Sequence, residues 1–357
     1  MKSTRNRITA VIVLLAVVAL VWFGRHRIHF DWHAFGQQLR MADWRRIAFG
    51  VGCIYAGYLV RSVRWAWLLR HKKKLSPLSL LGTQVMGFTA VALIGRVADP
   101  VRPYLVAKKT SLPLSSQFAV YIVERLFDAG SMALITSSVI LLAPAGALPH
   151  PEIVRKAGYW GLALTLAGSL FLVAVRLWGN AVAGFFRRAF GIVSQRLGDA
   201  VQDKIQSFHS GLDTIRSFSD FGVAAALSIG MWLMIALAYL ETMRAFVASP
   251  ELARMTLARG VLMMVVSGGA SVIQLPVIGW FTQIGLVEEG IRHFFGVTPE
   301  ASMGCAATLL LVTFLSVVPV GLIWSRFEHI SLTRVTEESE HAGEELAHSG
   351  GTPTLEA

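Results

Sequence analysis

The sequence predicts an all-α, polytopic integral membrane helical bundle, and three observations carry that expectation. Only 15% of the 357 residues are charged and 54% are hydrophobic, whereas an ordinary soluble chain carries about a quarter charged residues. The apolar residues come in repeated long blocks, of the length that crosses a hydrocarbon core as a helix. Lys and Arg sit at the ends of those blocks, so the formal charge of +11 sets topology and does not form a nucleic-acid surface; no nucleic-acid partner is expected.

Taken in order, the basic opening Met1 to Arg7 precedes an apolar run over 8–23 with no small-x-small cleavage site after it. An uncleaved first span with a cytoplasmic N-terminus follows. Residues 30–46 mix Trp32, Phe35, Leu39 and Trp44 with charges at helical spacing, an amphipathic helix at the interface. A second span over 47–69 delivers the chain to Arg70-His71-Lys72-Lys73-Lys74, a cationic cluster expected in the cytoplasm. Residues 78–94 are apolar but run into Gly95 to Pro103, where Pro100 and Pro103 lack N–H donors, so a broken or re-entrant helix is expected. Spans over 115–142 and 159–177 flank an outward turn, and 178–220 reads as a basic amphipathic connector on the cytoplasmic leaflet.

A further span over 221–246 leads to a second interrupted segment, 261–285, punctured by Gly268, Gly269, Pro276 and Gly279. The last span covers 301–324, and the acidic stretch 337–357, poor in large apolar residues, reads as disordered. The division is therefore a membrane domain over 1–326 and a tail over 327–357. About six full spans surround two interrupted ones, one in each half and opening from opposite sides, which is the arrangement of an inverted repeat and a pointer to a transport site.

Irregular backbone at membrane depth is tolerated only where protein buries it or a wet cavity borders it. The first interruption brings Arg96, Asp99 and Arg102 to such a cavity, where guanidinium forks suit phosphate oxygens; the plainer role is to anchor a loop. Glu124 and Asp128 share one helical face with Arg125 beside it, and the cluster either pairs with Arg96 or Arg102 or touches substrate. Arg61 and Arg64, with Trp65, fall in the cytoplasmic third of the second span, where snorkelling and lipid binding explain them equally. Glu288 and Glu289 fit either an amine headgroup or interfacial capping. Cys53 and Cys305 lie far apart, and the ten histidines lack ligand spacing, so neither a disulfide framework, a metal nor a cofactor is expected. Without a nucleophile elbow, a P-loop or a His-Glu-x-x-His motif, no enzyme is expected either.

Several of these segments together resemble a family. Arg61-Ser-Val-Arg-Trp65 precedes the basic loop. Gly95-Arg-Val-Ala-Asp-Pro-Val-Arg-Pro-Tyr-Leu105 is similar to Pro-x-Arg-x-Gly-Glu-x-x-Arg, and Glu124-Arg-Leu-Phe-Asp128 to Glu-Arg-x-x-Asp. A late Pro-Gly-rich stretch precedes Phe295-Gly-Val297. Over residues 8–326 the chain resembles the membrane domain of lysylphosphatidylglycerol synthases, a flippase-like superfamily that also occurs as stand-alone multi-pass proteins. Asp99, Ala98 and Ile94 depart from the pattern's Glu, Gly and Pro, and Pro276-Val-Ile-Gly-Trp280 is a looser form of its Pro-Gly-Gly-x-Gly. The resemblance implies translocation or binding of a phospholipid, a polyprenyl-phosphate sugar or a hopanoid-type lipid in the cell's inner or plasma membrane. Synthesis in the full-length relatives belongs to a soluble aminoacyltransferase domain, so lysyl transfer is not expected here. The alternative is a non-catalytic subunit scaffolding a lipid-modifying or glycosyltransferase enzyme. The expected partners are membrane lipids or such an enzyme, and the sequence leaves the oligomeric state open.

Overall fold

A computed structural model describes residues 30–144, 148–149, 151–192, 194–211, 217–270, 278–332 and 334–339. Among these residues the secondary structure is helical throughout, as predicted. The expected first span at 8–23, Pro276 and the tail beyond 339 lie outside the described residues.

Helix α1, Trp32–Met41, is N-capped by Asp31, whose carboxylate accepts from the backbone N–H groups of His33 and Ala34 at 2.8 and 3.0 Å. Exposed Trp32 and Met41 at its two ends fit the interfacial role. Helix α2, Trp44–Leu69, follows the Asp43 cap, and α3, Pro77–Ile94, starts on a proline that needs no intrahelical partner. A 3-10 turn over Arg96–Ala98 leads to α4, Val101–Thr110. Then come α5 (Leu114–Leu142), α6 (Pro151–Gly191), α7 (Gln195–Gly211) and α8 (Phe218–Arg244). The short α9, Pro250–Ala253, precedes α10 (Leu257–Ala270) and α11 (Ile278–Phe295). The last long stretch is α12 (Pro299–Leu310), a π-turn over Leu311–Leu315, and α13 (Val317–Phe327).

Two ends of the bundle can be told apart by their contacts. At one end Asp43 N–H donates to the Ala245 carbonyl at 2.8 Å; at the other, the basic end, Arg70 pairs with Asp220. Helices α2 and α8 therefore run antiparallel through the centre. Helix α3 leaves from the basic end, and α4 returns to it, because Lys73 Nζ donates to the Thr110 carbonyl at 2.9 Å and Lys109 pairs with Glu328 at 2.7 Å. Helices α10 and α11 begin and finish at the opposite end, where Arg244 Nε donates to the Met255 carbonyl at 2.8 Å and the Arg259 guanidinium lies over the Phe295 ring at 5.3 Å. The two hairpins thus enter from opposite ends. They meet where the Trp280 indole N–H donates to the Ala92 carbonyl at 3.1 Å, supplying a partner to one of the last carbonyls of α3.

Local chemistry explains the first interruption and corrects part of the expectation. Gly95 takes φ 95°, a backbone region that glycine enters without steric cost, and Pro100 is the N-cap of α4. Pro103 does not break the helix: it sits in the first turn of α4, where its missing N–H has no intrahelical bond to lose. Gly268 and Gly269 likewise fall inside α10 and Gly279 inside the first turn of α11, so none of the three interrupts a helix.

By length and composition four helices among the described residues can cross a membrane, α3, α5, α8 and the Pro299–Phe327 stretch, or five with the bent α6. The expectation of about six full spans differs for identifiable reasons. Helix α2 is long enough at 26 residues, but Arg61 and Arg64 lower its hydropathy, and both are buried against partners inside the bundle. The expected span at 159–177 belongs to α6, which bends by 64° between its halves and carries a non-helical residue at Trp178. The expected connector over 178–220 continues α6 and then folds back as α7, with Arg187 and Asp199 paired at 2.8 Å. Large apolar side chains on the outside, among them Leu142, Trp160, Leu164 and Leu170, face the direction in which lipid replaces water. Of the tail expected from 327, Leu332 and Val335 are buried against Tyr104 and Leu105, and Tyr104 donates to Glu338 at 3.0 Å.

Close helix approach relies on small residues. A Cβ on Gly87 of α3 would lie 2.1 Å from Arg102 Cγ of α4, and one on Gly321 of α13 would lie 1.9 Å from Thr89 Oγ1. Arg102 is held at its far end by ion pairs and cannot swing away without losing them. Gly87→Ala is therefore expected to cost about 1–3 kcal/mol and to lower the thermal midpoint of purified protein, whereas Gly52→Ala, which meets nothing within 4 Å, leaves the midpoint unchanged or slightly raised.

Candidate functional site

Inside the bundle, α5 presents Glu124 and Asp128 one turn apart, both buried, to arginines from three elements. Arg64 of α2, 1% exposed, donates through Nη2 to Glu124 Oε1 at 2.6 Å and through Nη1 to Asp128 Oδ1 at 2.7 Å and Ser228 Oγ at 2.5 Å. Arg102 of α4 donates through Nη1 to Gln84 Oε1 at 3.1 Å and Glu124 Oε1 at 3.3 Å, and its Nη2 lies 3.2 Å from Glu124 Oε2. Arg61 reaches Asp128 Oδ2 at 3.3 Å and Glu124 Oε1 at 3.5 Å, and Arg125 reaches Asp128 Oδ2 at 3.1 Å. Aromatic faces complete the shell: Phe88 lies 4.8 Å from the Arg61 guanidinium and 4.7 Å from that of Arg102, and Tyr121 stands between Arg102 and Arg125 at 5.1 and 5.3 Å.

These arginines divide into two layers. A cavity of about 200 Å³ is lined by Arg61, Arg96, Asp99 and Arg125 on one side, and by Trp232, Tyr239, Ser267, Gln283 and Thr313 on the other. Arg64, Arg102, Glu124 and Asp128 do not line it; they form the layer behind. Arg96 and Asp99 pair with each other at 3.7 Å and are 43% and 24% exposed. The expected pairing of the Glu124 cluster with Arg96 or Arg102 thus falls to Arg102, and Arg102 positions the cavity wall without lining it. Arg61 and Arg64 do not snorkel: both point into the bundle because their partners are there. Glu288 accepts from Ser302 Oγ at 3.0 Å and, with Glu289, pairs with Arg292. Of the expected hinge residues, Gly268 lines the cavity.

Sequence reasoning passed over Gln84, Ser228, Trp232, Ser267 and Gln283. The glutamines were the findable ones, since an amide in an otherwise apolar helix must be paired or line a polar space. Nothing in the sequence announces the π-turn at Leu311–Leu315, which carries Thr313 and Phe314 to the cavity. Among the described residues no group of three or more His, Cys, Asp or Glu could hold a metal ion.

A helical membrane bundle with two opposed hairpins, and an arginine-lined cavity where they meet, defines the class of this protein. The chain belongs to the lysylphosphatidylglycerol synthase TM region family, whose model matches residues 8–321. Membership ties it to membrane-lipid function. Comparison with curated proteins and with solved structures returned no significant match.

The two layers differ in what their loss should do. Arg64→Ala removes the shortest hydrogen bonds to both buried carboxylates, which keep their longer contacts to Arg61, Arg102 and Arg125, and is expected to cost at least about 2 kcal/mol. Arg96→Ala, at a partly exposed pair, should change stability by about 1 kcal/mol or less. Thermal or denaturant unfolding in a fixed detergent checks the contrast, and equal effects would contradict the layering.

Proposed function

We propose that the protein is a membrane-lipid carrier of flippase type, which receives an anionic lipid headgroup or lipid phosphate between its two opposed hairpins and catalyses no covalent chemistry. The observation that carries this reading is the charge of the cavity wall. Among the described residues four arginines at and behind that wall, Arg61, Arg64, Arg102 and Arg125, face two buried carboxylates, Glu124 and Asp128, an excess of two positive charges beside a cavity at membrane depth. A buried excess of this kind is costly unless an anion joins it. Guanidinium forks from Arg61, Arg96 and Arg125 match a phosphate diester.

The lysine-rich end, with Arg70 to Lys74 and Lys108 and Lys109, lies in the cytoplasm of this reading, with the protein in the inner or plasma membrane. The α3–α4 hairpin then opens to the cytoplasmic leaflet and α10–α11 to the outer one. Alternation between them would carry the headgroup past the point where Trp280 meets Ala92.

Reconstituted in liposomes, the full chain is expected to move labelled phosphatidylglycerol or a polyprenyl phosphate between leaflets. Arg125→Gln should reduce the rate at least tenfold while the thermal midpoint holds within a few degrees. Folded protein that moves none of the anionic lipids would refute the proposal.

A further inference from the structure

Beyond α13 the chain turns back and lies against α4. His329 takes φ 54°, a left-handed backbone that a side chain enters under strain, and the Ile330 N–H donates to the Ser325 carbonyl at 2.8 Å. The chain is helical again at Leu332 and over 334–339. This strap lies outside residues 8–321, the part of the chain that the family model matches, so its role is a matter for this chain alone.

Among the described residues its hold on the bundle is narrow. Leu332 and Val335 are buried in one cluster with Met86, Tyr104 and Leu105, and Tyr104 Oη donates to Glu338 at 3.0 Å. Just before the turn, Glu328 pairs with Lys109 at 2.7 Å and accepts from Trp324 Nε1 at 3.1 Å. Lys108 attracts Glu338 as well. The buried hydroxyls of Thr336 and Ser339 bond within the strap, to the Leu332 and Thr336 carbonyls, and Arg334 pairs with Glu338. Ordering 331–339 costs conformational entropy at every residue, and the burial of Leu332 and Val335 offsets a small part of it. A segment so held opens locally while the bundle stays folded.

Helix α4 is gripped from two sides. Arg102 holds it to Gln84 and Glu124 inside the bundle, while Tyr104, Leu105 and Lys109 hold it to the strap and to the end of α13. With the strap seated, the α3–α4 hairpin is tied to α13 and cannot swing toward the leaflet it faces. The lysines in this fastening belong to the basic end, where Lys73 donates to the Thr110 carbonyl beside them. Lys109 and Glu328 are 33% and 26% exposed, so an anionic membrane surface competes with Glu328 and Glu338 for the same two side chains.

Resting on the carrier reading above, we propose that the strap over 331–339 is an autoinhibitory brake on the α3–α4 hairpin, released when anionic lipid in the cytoplasmic leaflet takes Lys108 and Lys109 from Glu338 and Glu328.

The test uses the full-length chain with two readouts. Hydrogen–deuterium exchange is followed in nanodiscs of phosphatidylcholine alone or mixed with phosphatidylglycerol. Lipid movement is followed in phosphatidylcholine liposomes carrying a trace of labelled phosphatidylglycerol. Phosphatidylglycerol in the nanodisc should speed exchange at 334–339 and at 101–110 by about fivefold or more and leave 221–240 unchanged. Lys108→Gln/Lys109→Gln should open the strap in both lipids and abolish the difference. Leu332→Gln/Val335→Gln, which detaches the strap without touching the cavity, should raise the rate of lipid movement about threefold or more. Glu328→Gln/Glu338→Gln, which loosens the fastening and keeps the apolar contacts, should move both readouts in the same direction. Exchange at 334–339 that ignores phosphatidylglycerol overturns release by lipid. Faster exchange at 334–339 in folded variants whose lipid movement is unchanged or slower overturns the brake and leaves a structural clasp. Exchange that behaves as expected in a protein that moves no lipid at all supports the strap and overturns the carrier reading alone.

Discussion

The ion cluster around Glu124 and Asp128 is the constraint on which the rest of the bundle depends. Two buried carboxylates on one face of α5 bind arginines from α2 and α4 as well as from α5 itself, so three elements are fixed against one another by directed bonds. In a lipid surrounding, water offers no competing stabilisation for misplaced charge, and packing and polar contacts must decide how helices associate. Taking such charges out of water is costly, and a well-packed apolar core could be more stable. What the cluster contributes is geometry: it holds Arg61 and Arg125 at the wall of a cavity while Arg64 and Arg102 stay behind them.

The hairpins reinforce that geometry from both ends. Helix α3 is 18 residues, about 27 Å, against about 43 Å for the 29-residue stretch Pro299–Phe327 beside it. Its tip therefore stops inside the bundle, and its last carbonyls need partners that lipid cannot supply. The Trp280 indole meets one of them. Small residues make the contact possible, since Gly87 admits the Arg102 stem and Gly321 admits Thr89. The π-turn in the neighbouring stretch turns Thr313 and Phe314 toward the same cavity that Arg96 and Asp99 reach from the turn after α3.

Much of this is legible in the residues themselves. The helix-breaking Gly95 and Pro100 and the intramembrane carboxylates of α5 each have a local physical meaning. The division of the arginines is not legible there. Arg96 and Arg102 occur in one short segment, yet one lines the cavity and the other is sealed 1% exposed behind it, because Arg102 sits on α4 facing Gln84 and Glu124 while Arg96 precedes the helix on the turn. Pro103 reads as a breaker because its chemistry forbids an interior helical position; it starts a helix instead, where that chemistry is harmless.

The sequence by itself determined the solvent of this protein, its helical class, the interruption at Gly95 and the identity of the charges that cannot face lipid, since each of these follows from composition and from the intrinsic limits of single residues. Only the tertiary structure decided which charges compensate one another and which face the cavity. It also decided that the two arginines of α2 turn inward, to Glu124 and Asp128. Pairing depends on which helices adjoin, and adjacency in space is set by packing among segments far apart in the chain, as when Arg64, Glu124 and Ser228 meet within a few ångströms.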